Sequence, residues 1–362
     1  MVTLTITAVA ACGTDADQAP AAVDAPVEGV RVTLVDAGEA PKQPLVWFTA
    51  PEEQQVEYAY TRGLEQHTEV DQAMKRRLDA EAAASSDSAS VEPSSAETSS
   101  SESADASAPE SASGTDAANT DAAESGSNSD SELNKEDFNV PYSEVTMKLP
   151  LTANIQTDGD VRTSTVTVGT PTGDNTERNE DIASAEGFRM TSEQDSSGRT
   201  QTRSFSAPEG ATDSARASVE EALVQMNNLP LVFPSEPLGQ GAKWTVSNRV
   251  DDGGMSLLQD VTYTVTSKQN KTVTLAVSVD RRPATQFLAG TDLKILDVST
   301  ESSGQITVDL THPLPQRGSV NLTTTTRYGK DDSATEVVQK STSKSTWSLS
   351  LIHISEPTRQ VR

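Results

Sequence analysis

Cysteine, histidine and paired carboxylates are the groups through which a chain of this composition could do chemistry, and it holds one Cys, three His and 54 Asp or Glu among 362 residues. Nucleophilic catalysis by Ser or Cys needs a positioned base, most often His. His67 stands in Gln66-His67-Thr68 at the end of a strand pattern, and His312 stands beside Pro313 at a turn. Neither adjoins a Gly-x-Ser-x-Gly elbow, so both are expected to be exposed polar residues. Zinc would ask for clustered His and Cys, which the sequence does not offer. Asp251-Asp252-Gly253-Gly254 has the acids of a calcium loop but not the spaced oxygen ligands or closing Glu of an EF-hand, so a hairpin turn is expected there. Carboxylate pairs for glycoside chemistry are available in number, yet nothing singles one out. Gly239-Gln240-Gly241 precedes a strand and not a helix, the wrong context for cradling phosphate. The expectation is a non-enzymatic chain, with no catalytic residue, metal or cofactor.

Cys12 invites a different chemistry. It closes Val9-Ala10-Ala11-Cys12 after an uncharged, mostly apolar start. Small residues before a lone cysteine resemble the lipobox of a bacterial lipoprotein, in which the sulfur takes a diacylglyceryl group and becomes the mature N-terminus. The alternative is an ordinary buried thiol in a cytosolic protein. Against it, residues 13–29 are alanine-rich with Asp15, Asp17, Pro20, Asp24 and Pro26 and no apolar period, which reads as a disordered tether. Residues 1–12 would then be a truncated signal peptide, its missing basic n-region placing the start upstream. The resemblance implies lipid attachment at Cys12 and a chain anchored on the outer face of the bacterial cytoplasmic membrane, in the cell envelope. Two acyl chains suffice for stable anchoring, and no run approaches the roughly 18 apolar residues of a spanning helix.

At the other end, Leu349 to Arg359 resembles the translation of a transposase sequencing adapter. Residues 349–362 are therefore expected to be adapter-derived and without function, which removes His353 from consideration.

Composition divides what lies between. Residues 79–137 are almost entirely Ser, Ala, Asp, Glu and Thr, with fifteen acids against Lys135 alone. Such a stretch cannot bury enough apolar surface to offset its ordering entropy, so a disordered acidic insert is expected. It could bind cations, act as a spacer against the wall or carry O-glycans. A tolerated loop insertion is the favoured reading, because closure entropy grows slowly with length and long low-complexity loops need no partner. The net charge of −26, with no basic stripe interleaved with aromatics, argues against nucleic acid as a partner.

Elsewhere period-two alternation dominates. Val30, Val32 and Leu34 alternate with polar neighbours, as do Val56, Tyr58 and Tyr60. Val145, Met147, Leu149, Leu151, Ala153 and Ile155 share one face of a long stretch. Strand patterns follow at Trp244 to Val250, Val261 to Val265, Val273 to Val279, Ile306 to Leu310 and Val320 to Leu322. Such alternation marks half-buried antiparallel strands, and turns such as Asp158-Gly159, Asp251 to Gly254 and Lys268 to Lys271 separate them. One main helix is expected at 213–228. Ala215, Val219, Ala222, Leu223 and Met226 form its apolar face, Thr212 or Asp213 its N-cap, and Pro230 its stop. A second helical piece over Val70 to Ala84 is a weaker expectation, because its charges leave no clear apolar face. The predicted fold is mainly β: a curved antiparallel sheet or half-barrel over one helix, with first strands in 30–78 and the main domain in 138–348.

Phe233-Pro234-Ser235-Glu236-Pro237-Leu238-Gly239-Gln240-Gly241-Ala242-Lys243-Trp244 resembles the most recognisable stretch of exported actinobacterial lipoproteins of the domain-of-unknown-function 6263 type. The similarity spans roughly Val140 to Trp347, and the long acidic insert departs from it. The family has no assigned activity, so no catalytic residue carries over. Gly239, Gly241 and Trp244 are the candidate structural motif: the glycines open backbone geometry closed to other residues, and Trp244 caps the core beside the helix. Two functions fit best. One is a non-enzymatic module displaying surfaces to other envelope components. The other is a carrier holding lipid or another hydrophobic ligand in a cavity under the curved sheet, an analogy with half-barrel lipid carriers. A wall-polymer hydrolase would be the third, but it lacks a constellation.

Overall fold

A computed structural model of the chain describes residues 22–49, 53–87 and 139–350. Cys12, residues 88–138 of the acidic segment and residues 351–362 lie outside the described residues. The first strands are β1 (Val23–Asp24), β2 (Arg31–Asp36), β3 (Glu39–Gln43) and β4 (Gln54–Val70), followed by helix α1 (Gln72–Asp87). Then come β5 (Val140–Asp158), β6 (Val161–Val168), β7 (Thr172–Gly173), the short helix α2 (Asn179–Ala183), β8 (Arg189–Gln194), β9 (Thr200–Ser206) and helix α3 (Asp213–Asn227). The chain finishes with β10 (Leu238–Gln240), β11 (Lys243–Asp252), β12 (Met255–Gln269), β13 (Thr272–Pro283), β14 (Lys294–Asp309), β15 (Arg317–Gly329) and β16 (Thr335–Leu349).

Fourteen of these strands make one sheet in the order β1-β9-β8-β6-β5-β4-β16-β15-β14-β13-β12-β11-β2, with β7 added beside β5; β10 and β3 pair separately. Adjacent strands run antiparallel, and three hairpins turn on two residues. At Gly253-Gly254 both φ values are positive, 59° and 81°, the requirement of a type I′ turn whose twist matches the flanking strands. The acids of Asp251-Asp252-Gly253-Gly254 therefore belong to a hairpin, as the sequence indicated.

The sheet has to curl. Laid flat, thirteen strands at roughly 4.8 Å spacing would separate β1 from β2 by about 58 Å. Only residues 25–30 connect Asp24 on one edge to Arg31 on the other, a reach of at most about 25 Å. This strap is fastened at both ends: Ala25 N–H donates to Arg203 O at 2.8 Å, and Arg199 Nη1 donates to Val30 O at 2.5 Å. The result is a curled antiparallel sheet, not closed into a barrel, whose edges approach without pairing. Within the stretch 13–29 expected to be a disordered tether, Val23 and Asp24 pair with β9, and residues 13–21 lie outside the described residues.

The inner face of the curl carries the main core. Val56, Tyr58, Leu149, Leu151, Val261, Tyr263, Val273 and Leu275 are all buried there. Val145, expected on the same face, is 61% exposed because β5 continues past the end of the core. Helix α3 covers this face with Ala215, Val219, Ala222, Leu223 and Met226, the stripe read from the sequence. Thr212 caps it, its hydroxyl accepting from Ala215 N–H at 3.1 Å. Arg62 on β4 pairs with Glu221 and pins the helix to the sheet. A smaller core of Val250, Met255, Leu257, Ile295, Tyr328 and Val337 fills the other end of the curl.

The expectation of one main helix is corrected. Helix α1 is 16 residues long against 15 for α3. It forms without an apolar stripe because Asp71 caps it, accepting from Ala73 and Met74 N–H, and because Lys75–Asp79 and Arg77–Glu81 face each other one turn apart. Residues 79–87 of the acidic segment thus belong to a helix. Leu349 closes β16 opposite Val56, so the expected adapter-derived stretch contributes the last residue of a strand.

Candidate ligand cavity

Between α3 and the curled sheet lies a cavity of about 360 Å³. Strand register explains how its two ends come to differ. Across β6, β8 and β9, inward positions fall into rows, since directly opposed residues share a face. Val166, Met190 and Phe205 form one row, Ser164, Ser192 and Arg203 the next, and Arg162, Gln194 and Thr200 the third. Beyond the first row, Met226 of α3, Val277 of β13 and Ile306 of β14 add to the apolar lining. The second row makes one end of the cavity polar, and Trp47, in the loop before β4, closes that end. The strap crosses the mouth, where Glu28, Glu220 and Asp251 are exposed.

The polar end is undersupplied with partners. Buried polar groups are normally hydrogen-bonded, yet Trp47 Nε1, Arg162 Nε, Ser192 Oγ, Arg203 Nε and Trp347 Nε1 find none. Of these five residues, all but Arg162 line the cavity, and all five atoms can donate a proton. Trp47, Ser192 and Trp347 are only 7%, 3% and 4% exposed. The Arg203 guanidinium has one hydrogen-bond partner, Asn227 Oδ1 at 3.0 Å. Arg162 donates to Phe48 O at 3.3 Å and lies 5.7 Å from the centre of the Trp47 ring. No carboxylate within salt-bridge distance accompanies either guanidinium among the described residues. Burial pulls Arg162 down to about 10, an effect that the charge of Asp195 partly offsets; burial lowers Arg203 as well.

Arg281 shows how this fold treats a buried arginine that has a structural task. Its Nη1 meets Asp252 Oδ2 at 2.8 Å and Thr324 Oγ1 at 3.3 Å, while Nε donates to Gln259 Oε1 at 2.9 Å. Gln259 in turn donates to Asn228 O and Asn248 Oδ1. That network ties β11, β12, β13 and β15 to the end of α3.

The residues singled out in the sequence take structural places. Trp244 is fully buried, donates through Nε1 to Val232 O at 2.9 Å, and stacks at 5.5 Å on Tyr263 and 5.8 Å from Phe233. It holds the segment after α3 against the sheet. Gly239 is required by close approach, since a Cβ there would stand 1.6 Å from Glu39 O. Gly241 is required by its φ of +78°. His67 is half exposed beside Glu69 on β4, and His312 contacts Thr311 and Asp309 in the turn after β14. Cys12 lies outside the described residues. Sequence reasoning passed over Arg203, Ser192, Trp47 and Trp347. The available signal was polar residues at inward positions of β-rich stretches, visible only once register is known.

No helix among the described residues is long and apolar enough to cross a membrane, and no three His, Cys, Asp or Glu side chains among them gather as a metal site would require. The chain matches no protein-family model, and no curated protein matches it.

Proposed function

We propose that this chain is a non-enzymatic extracytoplasmic lipoprotein, tethered through Cys12, that carries a hydrophobic ligand inside its curled sheet. The observation behind the carrier reading is the cavity of about 360 Å³, within the roughly 300–1,000 Å³ of small-molecule sites, which are mostly apolar with a few placed polar groups. The tether rests on the sequence motif that ends at Cys12.

Native mass spectrometry of the full chain carrying Cys12→Ala, purified from cells without detergent, tests the carrier. A folded species with a releasable apolar adduct is expected. A clean protein mass, with no uptake of added single-chain amphiphile, would leave a non-enzymatic envelope-interaction module as the better reading. The same substitution tests the tether by fractionation: the wild-type chain should partition with membranes and the variant should not.

A further inference from the structure

We propose that the occupant is a single-chain amphiphile with an anionic oxygen headgroup, carboxylate or phosphate, seated at the polar end of the cavity against Arg203, Ser192 and Trp47. This rests on the carrier reading and adds the ligand's chemical class.

Three observations carry it. The polar end offers donors, not a balanced set: a guanidinium N–H, an indole N–H and a hydroxyl, none with an acceptor in the protein. A neutral ligand would leave the Arg203 cation without a counter-charge in a partly dry site, which is costly. A carboxylate or phosphate accepts from guanidinium and hydroxyl together in short, charge-assisted bonds. The second observation is the contrast with Arg281, which the fold equips with a carboxylate, an amide and a hydroxyl. Arg203 receives one neutral amide.

The third is placement. Ser192 and Arg203 are direct cross-strand partners, and Trp47 stands over the adjoining hairpin, its backbone N–H donating to Ser196 O at 2.8 Å. Arg162, behind Trp47, adds positive potential to the same end. Of the acids near the cavity, Glu28, Glu220 and Asp251 sit in solvent at the mouth, where water screens them. Asp195, which partly offsets Arg162, is engaged by the Ser197 and Arg199 backbone N–H groups of its own hairpin. One row away from Arg203 the wall turns to Val166, Met190 and Phe205, which suits an alkyl chain leading away from the head. The volume lies near the lower bound of ligand sites and fits one chain better than two.

The test titrates the full Cys12→Ala chain with oleate, methyl oleate, oleyl alcohol and 1-oleoyl-lysophosphatidate, each below its micelle concentration, reading tryptophan emission. At least one of the two anions is expected to bind about tenfold or more tighter than the ester and the alcohol. The tighter of oleate and lysophosphatidate identifies the head as carboxylate or phosphate. Arg203→Gln should reduce the preference to threefold or less by weakening the anions more than the ester, and Arg203→Lys should keep most of it. Thermal melting of ligand-free Arg203→Gln controls for folding and should show no loss, since the substitution removes an uncompensated cation. Ester and acid binding alike, or an acid preference that survives Arg203→Gln, overturns the headgroup assignment alone. Failure of all four to bind removes the carrier reading along with it.

Discussion

Replacing Asp252 by Ala should be among the most damaging single changes at any polar position of the fold. The carboxylate lies 2.8 Å from Arg281 Nη1, with side-chain exposures of 5% for the arginine and 16% for the acid. Removing it strands a cation that burial already disfavours. Breaking a buried pair from one side costs about 3–5 kcal/mol. Gln259 Oε1 and Thr324 Oγ1 remain as neutral acceptors, so the lower end, about 3 kcal/mol, is expected. With a urea m-value of about 3 kcal/mol/M for a domain of this size, the unfolding midpoint should fall by about 1 M at constant m. The double variant Asp252→Asn, Arg281→Met should recover most of that loss, because replacing both charges removes the desolvation cost as well as the attraction. A midpoint shift below about 0.3 M for Asp252→Ala, equivalent to about 1 kcal/mol, would refute the claim that the pair is buried in the energetic sense. The exposed pair of Arg327 with Glu69 offers an internal control: Arg327→Ala should cost less than about 1 kcal/mol.

Gly239→Ala should destabilise by about 3 kcal/mol, the upper end of overpacking costs, because the new Cβ meets backbone of β3. Gly241→Ala, with open space but positive φ, should cost about 1–2 kcal/mol; equal effects in urea melts would mean the two glycines serve one purpose. Thr212→Ala should cost about 1 kcal/mol through the lost cap of α3, read as a lower melting temperature. Burial holds the Tyr263 hydroxyl well above the usual tyrosine range. A folded value raised above the unfolded one contributes stability that is complete below about pH 10 and is lost as pH rises beyond it. Tyr263→Phe should therefore flatten the alkaline fall in the urea midpoint, and an unchanged profile would show that the phenol ionises freely in the folded chain.

Legibility in the sequence followed where apolar residues point. The five buried positions of α3 and the alternation of β4, β5, β11, β12 and β13 were readable because those elements face a dry core. Strands β6, β8 and β9 were not, since Arg162, Ser164, Ser192 and Arg203 occupy inward positions and break the alternation. The same residues that obscure the strands build the polar end of the cavity, so the site and the gap in the pattern have one cause. Helix α1 was only weakly legible, over Val70 to Ala84, for the opposite reason: it buries no face and is held by its cap and charge pairs. The pairing of β4 with β16 joins distant parts of the chain, and no local pattern encodes such a partner.

The strap from Ala25 to Val30 has a mechanical consequence. Elsewhere, widening the curl would break ladder hydrogen bonds strand by strand, whereas the two edges it joins share no ladder. Girth can therefore change at that seam by flexing six residues, with one backbone bond and one arginine as the fastening. A seam confined to that one line lets the sheet widen or narrow while every neighbouring pair of strands stays joined.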